Sequence, residues 1–89
     1  MGCVVDPLQT TERRIGWQFK TACHLVCDTH DELMAVAREL GMNPYWIQKE
    51  GRPDEHFDLV ERKRTMALSL SLAREVSPRE LVRIIRRKR

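Results

Sequence analysis

Two histidines and two aspartates in this chain have the side chains that metal or acid–base chemistry requires. They are Asp6, His24, His56 and Asp58. Carboxylates and imidazoles are ligands for a divalent metal, and histidines can also work as an acid–base pair on a phosphate ester. In an extended segment His56 and Asp58 project to the same side of the chain, as chelating or mutually orienting residues must. His24, His56 and Asp58 are therefore the catalytic candidates, and Asp6 joins them as the metal set. No metal-binding motif of recognised spacing is present, so these four must be brought together by the fold.

The residues after them suggest a different chemistry. Asp58 with Glu61 three positions on reads as a capping box, predicting a helix from Asp58 to about Leu70. Leu59, Val60, Met66, Ala67, Leu70 and Ala73 then form an apolar stripe with Lys63 near its middle. An ammonium facing a core needs an anion, because desolvation disfavours its charged form. Lys63 and Arg64, with His56 and with Arg13 and Arg14 of the first loop, are thus candidate ligands for a phosphate-bearing molecule, either nucleic acid or nucleotide. Trp17, Phe19 or Trp46 could stack a base, while packing in a core is the plainer role for Trp46. On this reading Asp58 caps a helix, which leaves it fewer lone pairs for a metal.

The net charge of +3 is unevenly spread. Arg83, Arg86, Arg87, Lys88 and Arg89 put +5 into segment 83–89, while the other 82 residues carry 11 basic and 13 acidic groups. Such a cluster grips a nucleic-acid backbone or simply complements the C-terminal dipole of a solvated helix. It would also steer association with a protein partner, such as a host or phage protein. Three cysteines, an odd number, argue against a disulfide framework and fit a reducing, cytoplasmic setting. Cys23 and Cys27 on one strand would lie about 13 Å apart, too far to share a metal. No apolar run is long enough to span a bilayer, so no membrane partner is expected.

The elements that must position these groups alternate. Cys3–Asp6 and Ala22–Cys27 read as strands. Thr29 with Glu32 opens a helix to about Leu40, stopped by Gly41. Asn43-Pro44 opens a brief turn carrying Tyr45 and Trp46, and Lys49 to Glu55 is a polar loop. Arg74 to Val76 is a short extended piece, and Ser77-Pro78-Arg79-Glu80 opens a last helix. His30, in the first turn of its helix, reads as plain surface. The 89 residues suit one compact domain. The expected fold is α/β or α+β: a small three-stranded, mostly parallel sheet packed by about three helices. Right-handed crossovers would gather Asp6 and Asp28 at the strand C-termini, beside His56-Phe57-Asp58.

The order Val5-Asp6, Cys23-His24-Leu25 with Asp28, Leu40-Gly41, Trp46-Ile47-Gln48, His56-Phe57-Asp58-Leu59 and Lys63-Arg64 resembles the domain-of-unknown-function 4031 family. These are small proteins of bacteria and their phages. The resemblance runs from about Val4 to Leu81 and implies a shared fold and site position. A single Asp6 followed by Pro7 stands where members often have two acidic residues. Ser71-Leu72-Ala73 replaces a glycine expected after the second helix.

Overall fold

The computed structural model describes residues 2–10 and 20–88. Its elements are β1 (Cys3–Val5), β2 (Gln9–Thr10), β3 (Thr21–Cys27), α1 (His30–Glu39), a 3-10 turn (Pro44–Trp46), β4 (Phe57–Leu59), α2 (Glu61–Ser69), β5 (Arg74–Glu75) and α3 (Pro78–Arg87). The fold is α+β, with three helices on a mixed sheet of five short strands. The expected three-stranded, mostly parallel sheet is corrected: β1, β2 and β4 all pair antiparallel with β3, and β1 with β5 is the one parallel pair among the described residues. One cause is local. His56-Phe57-Asp58 does not cap a helix but leads into β4, which adds an antiparallel strand to β3. The capping-box spacing is present without its bond: α2 begins at Glu61 after Val60, with no side-chain cap.

Other start and stop signals act as their chemistry predicts. Thr29 accepts the Glu32 N–H at the start of α1, and Ser77 accepts the Glu80 N–H at the start of α3. Gly41 ends α1 with φ +73°. Ser71 does the same work after α2 at φ +58°, in the stretch where the family resemblance leads one to expect glycine.

Period-two alternation divides the sheet between two apolar layers. Cys3, Val5, Cys23, Leu25 and Cys27, with Phe57 and Leu59, pack under Leu33, Ala37 and Leu40 of the α1 segment and Ala67 of α2. Val4 and Val26 face the other way, against Val76 and against Leu81 and Ile84 of α3. At fifteen or more apolar side chains removed from water, this burial dominates the stability of so short a chain. Cys3 and Cys27, opposed across β1 and β3, are joined in a disulfide, with Cα atoms 3.9 Å apart. The reading against disulfides is corrected here: counting cysteines misses a pair that strand register sets face to face, and Cys23 is the odd one left, buried as a thiol. Among the described residues no helix is long and apolar enough to cross a membrane.

Candidate functional site

The site grows from a break in the β1–β3 ladder. Cys3, Val4 and Val5 pair with Cys27, Val26 and Leu25, so the same register would put Asp6 opposite His24. Instead the chain turns at Asp6-Pro7-Leu8 and rejoins β3 as β2, with Gln9 opposite Ala22. Three residues thus oppose two, a bulge that re-aims a side chain. The Asp6 carboxylate takes over the missing ladder bond, accepting the His24 backbone N–H at 2.7 Å through Oδ1. Its Oδ2 lies 2.7 Å from the His24 Nδ1. Its own carbonyl accepts from Arg64 Nε at 3.0 Å.

The opposite edge of β3 completes the cluster. His24 faces Asp58 directly across the β3–β4 pair, and His56 lies two residues before Asp58 on the same side of its strand. The His56 Nε2 is 3.5 Å from Asp58 Oδ1. The His24 and His56 rings meet edge to face with centroids 5.1 Å apart. One ligand atom each from His24, His56 and Asp58 can be chosen so that all three lie within 4.8 Å of one another. A zinc-type ion sits about 2.1 Å from its ligands, which are then roughly 3–4 Å apart, so binding would draw the three closer together.

Each of the three is held by an outer partner. Burial pushes the Asp6 carboxyl up, but the hydrogen bonds from the His24 ring and backbone and the His24 charge outweigh it, so its pKa is lowered. Asp6 is therefore a carboxylate, and the proton between it and His24 sits on Nδ1. His56 Nδ1 is 2.9 Å from the Asp54 carbonyl, which can only accept, so that nitrogen also carries the proton. In the neutral form both rings then have their lone pair on Nε2, which leaves that nitrogen open to a metal. Gln48 donates its side-chain amide to Asp58 Oδ2 at 2.5 Å, and its backbone exchanges two bonds with His56, at 2.9 and 3.1 Å. A cleft of about 380 Å³ opens here, lined by Gln9, Thr10, Ala22, Cys23, His24, Gln48, His56 and Asp58. Burial, reinforced by the nearby Asp6 charge, pushes the Cys23 thiol up to about 12, so it is no nucleophile at neutral pH.

The fold thus collects all four of the metal candidates, with His24, His56 and Asp58 around one point and Asp6 behind His24. Of the phosphate candidates, His56 is in this cluster and Arg64 lies against Asp6, but neither Lys63 nor Arg64 is left open to a ligand. Lys63 is half-buried as expected, but its ammonium donates to the Leu40 carbonyl at the C-terminus of α1. The negative pole of that helix is the partner its position called for. Arg64 spends its guanidinium on the Asp6 carbonyl and on Glu75, 2.6 Å away. Arg13, Arg14, Trp17 and Phe19 lie outside the described residues, as does Arg89.

The rest of the basic tail is elsewhere. Arg83 and Arg87 are each 3.5 Å from Glu80, Lys88 donates to the Cys27 carbonyl at 2.7 Å, and Arg86 is exposed. Asp28 is also remote from Asp6, because antiparallel pairing sets the end of β1 against the middle of β3. His30 is at the surface as read, but its Nδ1 also lies 3.0 Å from the buried Glu55 carboxylate, which ties α1 to the loop before His56.

Gln48 and the Asp54 carbonyl escape a reading of the sequence. Their roles depend on a bridge between residues 48 and 56 that no local pattern announces. No curated protein and no solved structure matches this chain. A family model described as "Protein of unknown function (DUF4031)" matches residues 3–88, nearly its whole length, and the chain belongs to that family.

Proposed function

We propose that the protein is a divalent-metal-dependent phosphoesterase, with His24, His56 and Asp58 as metal ligands. One observation supports this most: three ligand atoms converge within 4.8 Å while each of their residues is oriented by a separate partner. Outer-shell carboxylates and carbonyls on ligating histidines are the usual support of a metal site, and they fix the ring tautomer that binding requires. Two imidazoles and one carboxylate favour zinc, manganese or ferrous iron over magnesium, which prefers oxygen donors.

Three protein ligands leave a coordination position for water, whose pKa a zinc-type ion lowers to about 7. In the hydrolysis we envisage, a water oxygen forms a new bond to phosphorus and the ester P–O bond breaks. The water gives up one proton to solvent, and the departing alkoxide takes one back. A net charge of +3 and an isoelectric point near 9.0 favour an anionic substrate. The cleft itself is lined by neutral amides, hydroxyls and the candidate ligands, so phosphate contacts would come from the ion and from Gln9, Thr10 and Gln48.

The test is thermal denaturation of metal-free protein with and without zinc, manganese or magnesium, alongside titration calorimetry and hydrolysis of bis(p-nitrophenyl) phosphate. Zinc or manganese should raise the melting temperature at one ion per chain, and His56→Ala should erase that rise. Absence of any rise with these ions, or a rise that survives His56→Ala, would remove the proposal.

A further inference from the structure

Just before Gln48, a residue of the cleft, the chain carries two aromatic rings that the core does not use. Tyr45 is 91% exposed and Trp46 59% exposed. Their turn is nonetheless fixed in place. Asn43 accepts the Tyr45 N–H through its side chain at 2.9 Å and the Trp46 N–H through its carbonyl at 3.0 Å, and Pro44 sets the first φ. The next residue, Ile47, packs into the main core. Gln48 follows, bonded to His56 and Asp58. Trp46 is therefore two residues from a wall of the cleft, at most about 7 Å between Cα atoms.

Large aromatics left in water on an ordered turn are uncommon, because burying them is so favourable. A ring held on a short pedestal loses little entropy when something stacks on it. Nucleobases are the partner with a matching flat face, and stacking does not discriminate among them. In a duplex those faces are already occupied by neighbouring bases, so the platform suits single strands.

We propose that Tyr45 and Trp46 form a base-stacking platform that presents a single-stranded nucleic acid to the His24–His56–Asp58 cleft. The proposal rests on the phosphoesterase reading for its substrate class and narrows that class to unpaired strands. The base would lie on the rings while the adjoining phosphodiester enters the cleft beside Gln48. Long-range attraction comes from the basic segment 83–89, whose +5 outweighs the net −2 of the other 82 residues.

Fluorescence anisotropy of labelled oligothymidylate on metal-free protein, at one salt concentration and beside a duplex of equal length, tests it. The single strand should bind more tightly than the duplex. Trp46→Ala should weaken single-strand binding about tenfold, Trp46→Phe should restore most of it, and Tyr45→Ala should also weaken it. All three variants should keep the metal-induced rise in melting temperature, since neither residue lines the cleft. Equal binding of duplex, unchanged affinity in Trp46→Ala, or a loss that Phe does not restore would each overturn the platform. Trp46-dependent binding in a protein that shows no metal response would uphold the platform and sink the phosphoesterase reading instead.

Discussion

Asp6→Asn isolates the physical idea behind the site, because it removes a charge while keeping the shape. The Asp6 side chain is 2% exposed and accepts two hydrogen bonds at 2.7 Å, from the backbone N–H and the ring of the same residue, His24. Asparagine can accept only through its one oxygen; its amide nitrogen must donate. If the oxygen keeps the backbone N–H, the amide faces Nδ1 and forces that nitrogen to be the acceptor. The imidazole proton then moves to Nε2, where the metal would bind. A lost charge-assisted bond costs about 1.5–3 kcal/mol of stability, and disrupting an outer-shell partner lowers metal affinity roughly 10–100-fold. Calorimetric zinc titration measures the second effect, and nitrogen NMR of the imidazoles reads the tautomer directly. An Asp6→Asn protein with unaltered zinc affinity and the proton still on His24 Nδ1 would show that the carboxylate does not set the tautomer.

Three further outcomes follow from the same geometry. Lys63→Met should lower stability by about 1 kcal/mol through loss of the bond to the Leu40 carbonyl, and leave metal affinity unchanged; a loss of metal binding would mean that α2 reports to the site. Stability should fall on both sides of a pH plateau. Glu55, whose carboxyl burial raises but whose bonds to His30 and Gly51 lower further, contributes above the ordinary carboxylate range and loses that contribution as pH falls through its depressed folded value. His30, held protonated mainly by its bond to Glu55, contributes below about 6.5 and loses that contribution as pH rises through its raised folded value. Melting curves of His30→Ala against pH should lack the upper limb. Finally, thiol titration of oxidised protein should count one reactive cysteine after denaturation, Cys23, and three once reductant is added. Reduction should cost up to roughly 3.5 kcal/mol for a loop of this length; three thiols without reductant would exclude the bridge.

Features settled within a turn or a strand were legible in the residues alone. Thr29, Ser77, Gly41 and Asn43-Pro44 acted where they stand, because a cap or a turn needs only neighbours three or four residues away. The two-residue spacing of His56 and Asp58 fixed their common side for the same reason. Asp58 shows the limit: a helix cap and a strand residue can share one local spacing, and pairing with β3 chose the strand. That β1 runs antiparallel to β3 is a matter of long-range pairing, which no local pattern states. That choice separates Asp6 from Asp28, sets Cys3 against Cys27 and brings the Asp6 carboxylate to His24 through the bulge. It also gave Lys63 a helix terminus in place of a ligand. Partners 18 to 34 residues apart in sequence meet only through strand register, which the buried faces of all the elements fix together.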